Sequence, residues 1–218
     1  MKKNTKNDAG KAKGTAGKKT GKRDANAENI LAFFHELGIL KKVPRTGWLW
    51  RSIPDCESIA DHCYRVNIIA MTLCDYINSR VKKTAERLDF EKVMRMSVLH
   101  EICECRTGDI PYPAQKYIGA HVKTSAETMA VRDLTEPLGF MPAGFYSDLW
   151  IEFETGASPE GKLVKAADKL EMLLQAVEYE KAGAKTLGDF WKNGVTFTQI
   201  AFHPAAEELL AELLKMRD

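Results

Sequence analysis

The chain has 218 residues, 44% hydrophobic and 28% charged, enough to bury one sizeable core but short for two large domains. Its formal net charge of +2 joins two unlike parts: residues 1 to 24 hold nine Lys or Arg against Asp8 and Asp24, and the remainder is acidic by five charges. The acidic body argues against a nucleic-acid-binding fold, and the lack of a long apolar run or apolar leader argues against a membrane span or secretory signal. Cys56, Cys63, Cys74, Cys103 and Cys105 show no zinc-ribbon spacing, so reduced thiols in the cytoplasm are expected.

Residues 1–24 lack aromatic and β-branched aliphatic side chains, a composition that cannot offset the entropy of ordering, and are expected to be a disordered basic tail. Such a tail touches nucleic acid or an acidic surface only weakly, through charge. A single folded domain is expected over 25–218. From Asn26 a helix is expected with Ile30, Leu31, Phe33, Phe34 and Leu37 as its apolar stripe and Gly38 as its stop. The segment Leu40 to Pro54 is expected to be extended, because Pro44, Gly47 and Pro54 oppose a helix. On that strip Arg45, Trp48, Trp50 and Arg51 combine guanidinium forks with aromatic faces, a set suited to an anion and a flat ring, or to covering the edge of the core.

Ser58 with Asp61 three residues on reads as a capping box opening a helix to about Tyr76, with His62 on its apolar face beside Ile59, Val66, Ile69, Ala70 and Leu73. Another helix is expected from about Phe90 to Cys105, with His100 and Glu101 near its end and Gly108 and Pro111 breaking it. Further helices are expected at about Gln115–Glu136, Tyr146–Glu154, Pro159–Tyr179 with Asp168 inside the run, and Pro204–Met216. No alternating segment long enough for a strand exists, so the fold class is all-α, an irregular helical bundle.

His62, His100, Glu101 and Asp168 each fall within an expected helix where surface polarity does not explain them, and a buried Asp168 needs a positive partner or a metal. Two imidazoles with two carboxylates suit Mn²⁺, Co²⁺, Fe²⁺ or Zn²⁺ and, less well, Mg²⁺. His35, His121 and His203 belong to no such set.

The order His62, His100-Glu101, Asp168 resembles the H…HD…D signature of the HD-domain metal-dependent phosphohydrolases. The flanking stretches Glu57-Ser-Ile-Ala-Asp-His62, His100-Glu-Ile-Cys-Glu104-Cys-Arg-Thr-Gly108-Asp109-Ile-Pro111 and Lys165-Ala-Ala-Asp168 are similar to the 5′-deoxynucleotidase branch, and the likeness covers about residues 28 to 216. The resemblance implies a homodimeric, all-helical enzyme that hydrolyses deoxyribonucleoside 5′-monophosphates to deoxynucleoside and phosphate with a divalent metal. It implies His62, His100, Glu101 and Asp168 as metal ligands and Glu104 as the residue that positions or activates the attacking water. It also implies that Asp109 contacts the sugar or assists proton transfer, and that an upstream Arg and Trp, with Arg45 and Trp48 as candidates and Arg51 and Trp50 as alternatives, bind phosphate and select deoxyribose. A helical turn from His100 to Glu104, at i and i+4, would bring that carboxylate to the metal's face.

Glu101 departs from the family pattern, which has Asp there. The added methylene shifts the carboxylate by roughly one C–C bond, at a position where tolerances are about 0.5 Å. Other HD-domain activities, a phosphodiesterase or a deoxynucleoside triphosphatase, use the same ligand set. A catalytically weakened nucleotide-binding protein is the remaining alternative.

Overall fold

The computed structural model describes residues 27–217. The expectations for residues 1–24 lie outside that range. Eleven α-helices follow one another among the described residues: α1 (Ala27–Leu37), α2 (Thr46–Leu49), α3 (Ile59–Arg80), α4 (Phe90–Leu99), α5 (Glu104–Thr107), α6 (Tyr112–Ile118), α7 (Ala120–Thr135), α8 (Phe145–Thr155), α9 (Pro159–Lys181), α10 (Gly194–Ile200) and α11 (Pro204–Arg217). The only β pairing among them is one isolated bridge between Pro44 and Ser58, so the architecture is the expected all-α irregular bundle.

The two longest helices, α3 and α9, form the axis. Val66, Ala70 and Leu73 of α3 face Leu163, Leu170 and Leu173 of α9, and Val93 and Met96 of α4 and Phe153 of α8 close the same apolar cluster. Each residue named is at most 5% exposed, and fully burying one such side chain contributes on the order of 1.5–3 kcal/mol. The α3 start has the expected capping box, with Ser58 Oγ accepting from Asp61 N–H and the Asp61 carboxylate accepting from Ser58 N–H. The helix extends one turn past the expected end, to Arg80, because Ile77 still faces the core. The Ser58 cap sets which face of α3 points inward, and His62 is on it.

Three local expectations are corrected. The strip Leu40 to Pro54 is not wholly extended: it contains a 3₁₀ turn at Gly38–Lys41 and the single-turn α2, which Pro44 precedes rather than interrupts. The helix expected from Phe90 to Cys105 stops at Leu99 and resumes at Glu104, because the His100 carbonyl accepts from the Trp150 indole at 3.1 Å and the next N–H groups turn to i−3 carbonyls. The helix expected over Gln115–Glu136 is two, α6 and α7, divided by Gly119 at φ +85°. Helix α10, too short and too polar for a periodic signal, had no counterpart in the sequence reading. All five cysteines are free, and among the described residues no helix is long and apolar enough to cross a membrane.

Candidate metal centre

Three helices bring the four expected ligands to one point. His62 comes from the first turns of α3 and is fully buried, His100 and Glu101 follow the last residue of α4, and Asp168 projects from the middle of α9. One ligand atom from each lies within 4.8 Å of the others, the spacing a single cation needs. Both imidazoles have their Nδ1 side engaged by acceptors. His62 Nδ1–H donates to a Glu171 oxygen at 2.5 Å, and His100 Nδ1–H donates to the Ser97 carbonyl at 2.7 Å. Neither acceptor has a proton to give, so in the neutral imidazoles the lone pairs are on the Nε2 atoms, which lie 3.4 Å apart. Asp168 Oδ1 lies 3.3 Å from His62 Nε2 and is a buried oxygen without a hydrogen-bond partner.

Two lone pairs and an orphaned carboxylate oxygen converging in a buried space repel unless a positive charge sits between them. The donor set therefore fits a divalent cation, with imidazole nitrogens favouring Zn²⁺, Co²⁺, Mn²⁺ or Fe²⁺ over Mg²⁺. Without a metal a proton fills part of that role: burial and Arg45 push His62 down, but the Asp168 and Glu171 carboxylates more than offset them and raise it to about 9. Burial pushes His100 below its ordinary value. For Asp168 burial acts upward, and Lys169 with the two imidazoles overcomes it to hold the carboxyl well below the usual range.

His100, Glu101 and Asp168 form part of the wall of a cavity of about 1010 Å³, to which Arg45, Trp48, Glu104 and Asp109 also contribute. Arg45 Nη1 donates to Glu101 Oε1 at 3.3 Å. The Arg45 guanidinium is penalised by burial, but Asp109, Glu101, Glu104 and Asp168 surround it and keep it charged. Trp48 is 2% exposed, stacked on Phe190 at 4.5 Å, with its indole N–H on Glu57 at 2.9 Å. It covers the core edge and faces the cavity at once. Trp50, 57% exposed, is not part of the wall, whereas Arg51 is, paired there with Asp189. Asp109 Oδ2 accepts from Thr46 N–H at 2.7 Å and its carbonyl accepts from Thr46 Oγ1, so it stands in for the missing N-cap of α2 and holds the turn that carries Arg45 and Trp48.

Glu104 is 5% exposed, and its Oε2 is a second buried oxygen without a partner. It does not reach the cavity through an α-helical turn from His100 as expected. The chain from His100 to Cys103 is a tight turn in which Glu104 N–H donates to the Glu101 carbonyl, placing Glu104 above Glu101 with the near-eclipsed spacing of i and i+3. Burial first, then the Glu101 and Asp109 carboxylates, push its pKa well up against the pull of Arg45.

Sequence reasoning missed Glu171, Arg65 and Trp150. Glu171 and Arg65 carry charges on long helices with nothing local to mark them as buried, and no signal existed for Trp150, which acts on His100 from 50 residues away. His35 and His121 are exposed, and His203 Nδ1 accepts from Ala205 N–H at 3.1 Å, capping the start of α11.

A family model described as an HD domain matches residues 37–209. The 5′-deoxynucleotidase HDDC2 of Homo sapiens is 36% identical over 190 residues, covering 86% of this chain and 85% of that protein. The protein of the same name from Danio rerio is 38% identical over 161 residues, covering 72% of this chain and 73% of that one. Among solved structures, a conserved hypothetical protein from Pyrococcus furiosus superimposes with a TM-score of 0.71 at 34% identity, covering 85% of this chain and 99% of that one.

Proposed function

This chain belongs to the HD-domain family of metal-dependent phosphohydrolases, and on that premise we propose that it hydrolyses deoxyribonucleoside 5′-monophosphates to deoxynucleoside and phosphate. The observation that carries the proposal is the convergence of His62, His100, Glu101 and Asp168 on one point, with the last three sharing a cavity wall with Arg45 and with Glu104, whose buried oxygen is orphaned. When bound there, a divalent cation supplies charge that offsets the phosphate oxygens and lowers the pKa of water. Arg45, held charged, offers its fork to the phosphoryl oxygens as they gain negative charge. Glu104, with one oxygen free and an affinity for protons raised by burial, accepts a proton from the attacking water and returns it to the departing 5′-oxygen.

Asp109 fixes the Arg45–Trp48 turn through Oδ2, so the sugar contact or proton transfer assigned to it falls to its other oxygen. Trp48 presents an aromatic wall to the sugar, and an apolar wall of this kind discriminates against a 2′-hydroxyl only modestly. The monophosphate reading is favoured over a triphosphatase by the Arg45–Trp48 turn and Asp109, which stand together in the cavity wall beside three of the four clustered residues. The proposal includes a homodimer in the cytoplasm. Leu31 and Phe34 of α1, 66% and 60% exposed, supply apolar area for such an interface, and the five free thiols suit a reducing compartment.

The test is a product assay on the Co²⁺- or Mn²⁺-loaded protein with a deoxynucleoside monophosphate panel, the matching triphosphates and a phosphodiester. Inorganic phosphate and free nucleoside from the monophosphates are expected. Pyrophosphate or triphosphate release, or phosphodiester cleavage alone, would assign the chain to a different HD-domain activity.

A further inference from the structure

The seam between α3 and α9 carries more polar structure than four ligands require. Glu171 lies one turn beyond Asp168 on α9, is fully buried, and has both oxygens committed: one to His62 Nδ1–H at 2.5 Å, the other to Arg65 Nε at 2.9 Å. Arg65, one turn beyond His62 on α3, is clamped in turn by Glu178 at 2.8 and 2.9 Å and by Gln175 at 2.5 Å. Positions 168, 171, 175 and 178 form one helical stripe, and 62 and 65 form the facing one. The seam thus runs from the buried ligand pair His62 and Asp168 outward to Glu178, which is 48% exposed.

A fully buried carboxylate is expensive to desolvate, and an apolar residue at 171 would serve the surrounding core of Leu170, Leu173 and Ala167 at no such cost. We propose that Glu171 is a positioning residue for the metal centre. It accepts the His62 Nδ1 proton, which leaves the Nε2 lone pair directed at the ligand cluster, and Arg65 anchors Glu171 so that the imidazole plane cannot turn. This assignment rests on His62 being a ligand but not on the identity of the substrate. A carboxylate behind a ligating imidazole raises its basicity and fixes its tautomer, and removing one weakens metal binding by about 10–100-fold. Glu57 also has an oxygen within 4.8 Å of His62 and Glu171, so a rival role for Glu171, as a ligand to a second cation, has to be separated from positioning.

The experiment strips the full-length protein of metal and titrates it with Co²⁺ alone, reading stoichiometry, affinity and the visible absorption of the bound ion. The parent is expected to bind one Co²⁺ per chain. Glu171→Gln, which keeps the shape but not the charge, is expected to bind one as well, about 10–100-fold more weakly and with a shifted spectrum, and Glu171→Asp to recover part of the loss. Arg65→Gln, changed outside the core, is expected to weaken binding in the same direction by less, and stands in if the Glu171 variants do not fold. His62→Ala is expected to lose the ion. Unchanged affinity in Glu171→Gln or, where it does not fold, in Arg65→Gln, while His62→Ala loses the ion, would overturn the positioning role and leave His62 as a ligand. Two Co²⁺ per parent chain and one per Glu171→Gln chain would overturn it in favour of a ligand role. Unchanged affinity in His62→Ala would overturn both readings.

Discussion

Glu104→Gln is expected to hold its divalent cation as the parent does and to turn over about 10²–10⁴-fold more slowly, the range for loss of a positioned acid or base. Glu104 is 5% exposed, its Oε2 has no hydrogen-bond partner, and no salt bridge neutralises it, so it contributes little to the fold that a neutral amide would not. Glutamine keeps the volume and removes the proton-accepting carboxylate. Kinetics alongside metal analysis decide the matter. Loss of metal with the substitution would make Glu104 a ligand, whereas full turnover with metal present would remove it from the chemistry.

The second large effect concerns the departure from the family dyad. Glu101→Asp restores the family residue, yet it is expected to lower turnover by about 10²-fold, the scale set by a misplacement of about 1 Å in a reacting constellation. In this chain the longer side chain already brings a carboxylate oxygen within 4.8 Å of donor atoms of His62, His100 and Asp168 and within 3.3 Å of Arg45 Nη1. Shortening it withdraws the carboxylate from the cluster and from the guanidinium. Steady-state rates of the two proteins loaded with the same metal measure this. A large gain from a nearly inactive parent would show instead that glutamate had disabled the site, which is the signature of a nucleotide-binding protein that no longer catalyses.

Much of the fold was legible because two signals are strong and local. The Ser58–Asp61 capping box marks the start of α3, and the apolar spacing from Leu163 to Val177 marks α9, so the helices carrying His62 and Asp168 follow from the chain itself. The break after Leu99 was not legible, since the apolar pattern runs through it and its cause is an indole on another helix taking the His100 carbonyl. That break changes how Glu104 arrives at the cavity while leaving it there. The α2 turn was hidden for a similar reason: its cap is Asp109, supplied from 63 residues away. The four clustered residues were legible as side chains that an apolar stripe does not explain. The support behind them, Glu171 with Arg65, was not singled out, because a glutamate and an arginine on long helices look like solvated charge until the packing buries them.

A crystal of the full chain grown with Zn²⁺, measured at the zinc absorption edge, places the ion without reference to any assumed substrate. One anomalous peak is expected per chain, about 2.0–2.2 Å from His62 Nε2, His100 Nε2 and oxygens of Glu101 and Asp168. A peak elsewhere, or none among these four residues at saturating zinc, would contradict the assignment of the metal centre and the hydrolytic function built on it.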